Sequence, residues 1–135
     1  MNALKTGIRS RLTAATALTA LLSGTAAVYS GLAPSGATLP YVVYSIVSDT
    51  ELNETPKVER DYLVDIKGIS VAGDMADSIA AQIRTAMQTD ITVTGWGVVN
   101  QKRERGINLR EVVDGKIYYH AGETDRIRQI GRAHV

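Results

Sequence analysis

The stretch GLAPSGATLPYVVYSIVSD, residues 31–49, holds a loop, a turn and a strand within nineteen positions. Pro34 and Pro40 fix their own φ and lack an N–H, and Gly31 and Gly36 supply turns, so residues 24–40 are predicted to form a loop. Pro40 stands just before the alternating residues, a position that a sheet tolerates. From Tyr41 onward, Tyr41, Val43, Ser45 and Val47 face one side and Val42, Tyr44, Ile46 and Ser48 the other. Both rows are mostly apolar, which predicts a strand covered on both faces near its start. The polar DTELNETP that follows, residues 49–56, reads as an exposed loop.

Downstream, VERDYLVDIKGIS alternates with Tyr62, Val64 and Ile66 on one side and Asp61, Leu63, Asp65 and Lys67 on the other, a half-buried strand. The period then turns helical over 72–88, where Met75, Ile79, Ala80, Ile83, Ala86 and Met87 make one stripe. Asp74 and Asp77 lie off that stripe near the helix N-terminus, where carboxylates are favourable. After Asp90, β-branched residues return around Gly95, Gly97, Gly106 and Gly115, and Asp114–Gly115 between REVV and KIYY is a two-residue hairpin signal. The closing stretch 122–135 alternates weakly and is expected to be a C-terminal arm or an edge strand.

Upstream, residues 1–23 admit two readings. Three bases, an Ala- and Leu-rich run and small residues imitate a secretion signal, but Thr13, Thr16 and Thr19 interrupt the apolar centre. Leu4, Ile8, Leu12, Ala15 and Leu22 recur at helical spacing, beside a polar stripe of Thr6, Arg9, Thr13 and Thr16. Two interleaved stripes describe an amphipathic helix on a core, whereas a signal is apolar all round, and the helix is the preferred reading. Thr13 is placed to cap a second short helix over 14–22, and Gly24 to stop it. The order of elements gives an α+β fold: an antiparallel or mixed sheet, with the N-terminal helix and a second helix packed on one face. A length of 135 residues fits a single domain.

Composition narrows the chemistry. There is no cysteine, which removes disulfides, thiolate nucleophiles and Cys metal sites. There is no Phe and only one Trp, so Leu, Ile, Val, Ala and Met must fill the core. The net charge of +1 predicts no general attraction to nucleic acid. It is unevenly spread: residues 49–90 hold nine acids against four bases, while both flanks are basic. Two faces of different polarity would suit a self-associating module, and a solvated strand edge and helix face explain the pattern as well.

The sequence contains no P-loop, GxGxxG, GxSxG or HExxH motif. His120 and His134 are the only histidines; the first is expected on an exposed strand and the second near the mobile end. Asp61 and Asp65 share a strand face but lack a third group, and read as solvated. Lys102, Arg103, Arg105 and Arg110 have no interleaved aromatics for base stacking. Trp96, between two glycines, is expected to anchor a core or an interface. No catalytic, cofactor or metal site is assigned.

The pattern Val28, Tyr29, Gly31, Ala33, Pro34, Gly36, Leu39, Pro40, Tyr41, Val42, Val43 and Tyr44, followed by Val64, Asp65, Ile66 and Gly68 and an Ala-rich helix, resembles the tail completion (tail terminator) proteins of long-tailed bacteriophages. The likeness runs over residues 1–90, more loosely into the later hairpin, and fails to cover the C-terminal ETDRIRQIGRAHV. It implies a structural virion protein, not an enzyme. It would form a homo-oligomeric ring, hexameric in the relatives, at the head-proximal end of the tail tube. Such a ring stops tube polymerisation, meets the tail tube protein on one side and a neck or stopper protein on the other, and lets double-stranded DNA pass without sequence-specific binding. The resemblance also implies assembly in the host cytoplasm, location in the virion tail or neck, and no membrane. On this reading Trp96, Arg103, Arg105, Arg110 and Tyr118 are the interface candidates, and Asp49, Glu51 and Glu54 the channel-lining ones. The alternatives are another neck ring, such as a head-completion or stopper protein, and a secreted bacterial binding module.

Overall fold

The computed structural model describes residues 2–24, 26–53 and 58–131. Helices α1 (Asn2–Ala14) and α2 (Thr16–Thr19) lead into β1 (Val28–Ser30), β2 (Tyr41–Asn53) and β3 (Val58–Ser70). Helix α3 (Gly73–Ala86) and strands β4 (Trp96–Val113) and β5 (Lys116–Gly131) complete the order. The five strands form one sheet in the order β1-β2-β3-β5-β4. β1 runs parallel to β2, and every other pair is antiparallel. The α+β reading, with helices packed on a mixed sheet, is what the molecule shows.

α1 forms because its apolar residues fall on one stripe. Leu4, Ile8 and Leu12 are fully buried, while Thr6, Arg9 and Thr16 of the polar stripe are exposed. The break after it differs from expectation. Ala15, with extended backbone and no side-chain cap, starts α2, and the Thr13 hydroxyl donates to the Arg9 carbonyl one turn back at 2.8 Å. That internal bond offers Thr13 an alternative to capping. α2 accordingly spans four residues and ends before Gly24.

Ile79 and Ile83 of α3, and Met87 just past its end, are buried against Val64, Ile66 and Ile127 of the sheet, with Leu18, Leu22 and Val28 closing the core beside α1. The connection from α3 to β4 is tied by two side chains. Arg11 donates to the carbonyls of Ala86, Thr89 and Asp90 at 2.7–3.0 Å, and to the Thr89 hydroxyl at 2.8 Å. Gln101 accepts from the Ile91 N–H and donates to the carbonyls of Met87 and Thr89. Carbonyls left free at the end of α3 thus find donors.

Three expectations about the strands are corrected. The predicted loop 24–40 contains the short strand β1, whose pairing with Val42–Tyr44 supplies a partner that no local pattern announces. The predicted loop 49–56 is strand as far as Asn53, because Asp49, Thr50 and Glu51 pair across from Tyr62, Asp61 and Arg60. The expected arm or edge strand at 122–135 is, over 122–131, part of an interior strand: β5 pairs with β3 on one side and with β4 on the other. Residues 132–135, His134 among them, lie outside the described residues. The Asp114–Gly115 turn is as read, with φ of 52° and 79°, the two positive values that a type I′ hairpin demands.

Three bulges interrupt the sheet, one of them at Val99 in β4. The other two, at Val47 in β2 and at Glu104 in β4, lie through the ladder within one residue of the same level on β5. A bulge adds local twist and curvature, so the pair sets a line along which the sheet turns.

Candidate assembly surface

The helices cover one face of the sheet and leave the other open. On the helix side of β5, Glu123, Asp125, Ile127 and Gln129 point inward and are buried. Arg84 of α3 lies 3.4 Å from one Glu123 oxygen and Arg103 of β4 lies 3.8 Å from the other. Burial, and then the neighbouring Glu123 carboxyl, push the Asp125 carboxyl up to about 8. The hint in sequence is one of parity only, since Glu123 and Asp125 fall in step with Ala121 and Ile127. Nothing local shows that two arginines from other elements would meet them.

On the open face, the Thr124 hydroxyl donates to Asp65 at 2.6 Å, and Arg105 Nε reaches the same hydroxyl at 3.4 Å. Arg126 Nε lies 3.3 Å from one Asp61 oxygen and Arg128 3.8 Å from the other, as ion pairs; Glu104 meets Arg126 at 3.5 Å and Lys102 at 3.9 Å. Asp61 and Asp65, predicted to be solvated, are therefore half-buried members of a charge network. His120 is also half-buried, not exposed, with its Nε2 3.7 Å from Glu111. Burial and the nearby Lys67 hold its pKa below the ordinary imidazole value. It shares the mouth of an open cleft with Tyr41, Tyr118 and Ala37.

The five interface candidates all lie on the β4–β5 hairpin, but not on one surface. Trp96 packs against the core, its ring beside Gly131. Arg103 turns to the helix side and Glu123. Arg110 lies over the Tyr119 ring at 5.9 Å, a cation–π contact on that same side. Arg105 and Tyr118 belong to the open face. Of the channel candidates, Asp49 and Glu51 sit on the helix side of β2, 3.5 and 3.9 Å from Arg60, and Glu54 lies outside the described residues. The hairpin tip also exposes Val112, Val113 and Ile117, with Leu109 farther along β4. Sequence reasoning did not single these out, although the alternation around Asp114–Gly115 places apolar residues on both sides of the ribbon. Among the described residues no three metal-ligating side chains cluster, and no helix is long and apolar enough to cross a membrane.

This architecture, a bent mixed sheet with helices on one side, is shared with a chain from the virion of a native gene transfer agent particle. The two are 21% identical, with a TM-score of 0.79 over 95% of each chain. The fold is thus one used in a phage-like particle. The chain belongs to the tail completion protein gp17 family, whose sequence profile matches residues 6–125. It is accordingly a bacteriophage structural protein of the tail. No curated protein matches the sequence.

Proposed function

We propose that the protein is a tail terminator: copies of the chain close into a ring, hexameric by the family pattern, on the head-proximal end of the tail tube. The ring stops further tube polymerisation and joins the tail to the neck. Membership in the tail completion family carries this reading. A sheet with helices on one face and strand edges at both sides supports it, since such edges pair with further strands. A head-to-tail contact of one copy with the next closes when its rotation divides a full turn. Double-stranded DNA passes the ring without sequence-specific binding. A channel wall that is acidic or neutral keeps phosphates from adhering. Assembly takes place in the host cytoplasm, and the product resides in the virion.

Light scattering on the full-length chain, with and without purified tail tube protein, tests the proposal. A discrete ring-sized species, alone or on addition of tube protein, together with tubes that stop growing when the chain is added, is the expected result. A chain that stays monomeric and leaves tube growth unchanged would refute it. A ring that binds a neck protein but ignores the tube would make the protein another neck ring.

A further inference from the structure

The sheet ends in two edges that carry opposite charge over overlapping stretches. On one side, β1 pairs only with Val42–Tyr44, so among the described residues the stretch Ser45–Asn53 of β2 has no strand outside it. On the other side, beyond the single bridge of Trp96 to Val93, β4 pairs only inward with β5, and among the described residues no strand covers its outer edge from Gly97 on. The open part of β2 carries Asp49 and Glu51 and no base. The facing part of β4 carries Lys102, Arg103 and Arg105 around a single acid, Glu104.

Following the ladder across the sheet, Thr50 is level with Asp61, Arg128 and Asn100, and Ser48 with Leu63, Arg126 and Lys102. Asp49 is level with Gln101, one residue from Lys102 and two from Arg103, so the acidic and basic stretches overlap with an offset of a few residues, within reach of diagonal cross-strand pairs. Arg103 is also on the helix side of the sheet, the side of Asp49 and Glu51. Strand directions alternate from β2 through β3 and β5 to β4, so β2 and β4 run in opposite senses. A second copy brought alongside by rotation about an axis parallel to the strands would keep its helices on the same side. It would present its β2 antiparallel to the first copy's β4, without sliding along the axis. Charges and bulges on both edges discourage indiscriminate pairing and favour one register.

We propose that the occupant of each edge is a second copy of this chain: the outer edge of β2, Ser45–Asn53, pairs antiparallel with the β4 edge around Asn100–Arg105 of the next copy. The ring is then one continuous sheet. This rests on the ring reading above and specifies its contact.

Because the chain has no cysteine, an engineered pair reports the contact without background. Thr50 and Asn100 are both exposed. Thr50→Cys is combined in one chain with Asn100→Cys, and separately with Lys102→Cys to allow a stagger of two residues. Both are oxidised under conditions where the unmodified chain forms rings, and run on a denaturing gel without reductant. One combination is expected to give a covalent ladder up to the ring size, while each single-cysteine variant stops at dimer. Rings that assemble in both combinations without a ladder would give these edges to another occupant, the tail tube protein first. They would overturn the edge pairing while leaving the ring intact. An unmodified chain that never forms rings, with or without tube protein, would remove the ring reading and this contact with it.

Discussion

At Gly122 a methyl group would fall on the Ile66 carbonyl oxygen and crowd the Lys67 backbone. Both obstacles are main chain within the β3–β5 pair, so no rotamer change can relieve them. Gly122→Ala is expected to destabilise severely, by several kcal/mol, as judged by thermal melting or by loss of soluble protein. Asp125 makes a different demand. Its folded carboxyl holds a proton up to about pH 8, whereas an unfolded aspartate releases it near pH 4. Between those values the folded state binds more protons than the unfolded one, so its contribution to stability falls as pH rises. Asp125→Asn should therefore melt a few degrees above the parent protein at pH 8 and converge with it near pH 4.

Among the elements, Arg11 is a clasp: one guanidinium serves three carbonyls and a hydroxyl across the α3–β4 connection. Hydrogen bonds to a charged group contribute about 1.5–3 kcal/mol, and Arg11→Ala should lower the melting temperature accordingly. Arg11→Lys should recover only part of the loss, because an ammonium lacks the planar fork. The elements legible in sequence were those whose cause is local. α1 and α3 follow from their stripes, and the β4–β5 turn from two residues able to take positive φ. β1 was hidden because three residues in a Pro- and Gly-rich stretch become a strand only through a distant partner. The end of β5 was hidden because Glu123 and Asp125 mark a surface strand by type, and are buried only beneath Arg84 and Arg103 from elements far off in sequence.

For the molecule as a whole, the first helix is part of the core. Removing residues 1–23 would strip Leu4, Ile8, Leu12, Leu18 and Leu22 from the centre. At about 2 kcal/mol for each buried leucine or isoleucine, the loss is comparable to the whole stability of an ordinary domain. The shortened chain is expected to lack a cooperative melting transition in circular dichroism. The assembly surface was less legible than the core, because charge type and strand period say which residues are exposed but not which edge stays open. Arg103 and Arg105 are two residues apart, yet the bulge between them accompanies divergent tasks: one reaches the buried Glu123, the other Thr124 on the open face. The bulges have a consequence at this scale too. If copies join edge to edge, the bend at Val47 and Glu104 becomes the turning angle that each copy adds to the circle. Inserted residues would then do the counting, setting how many copies bring the last edge round to the first.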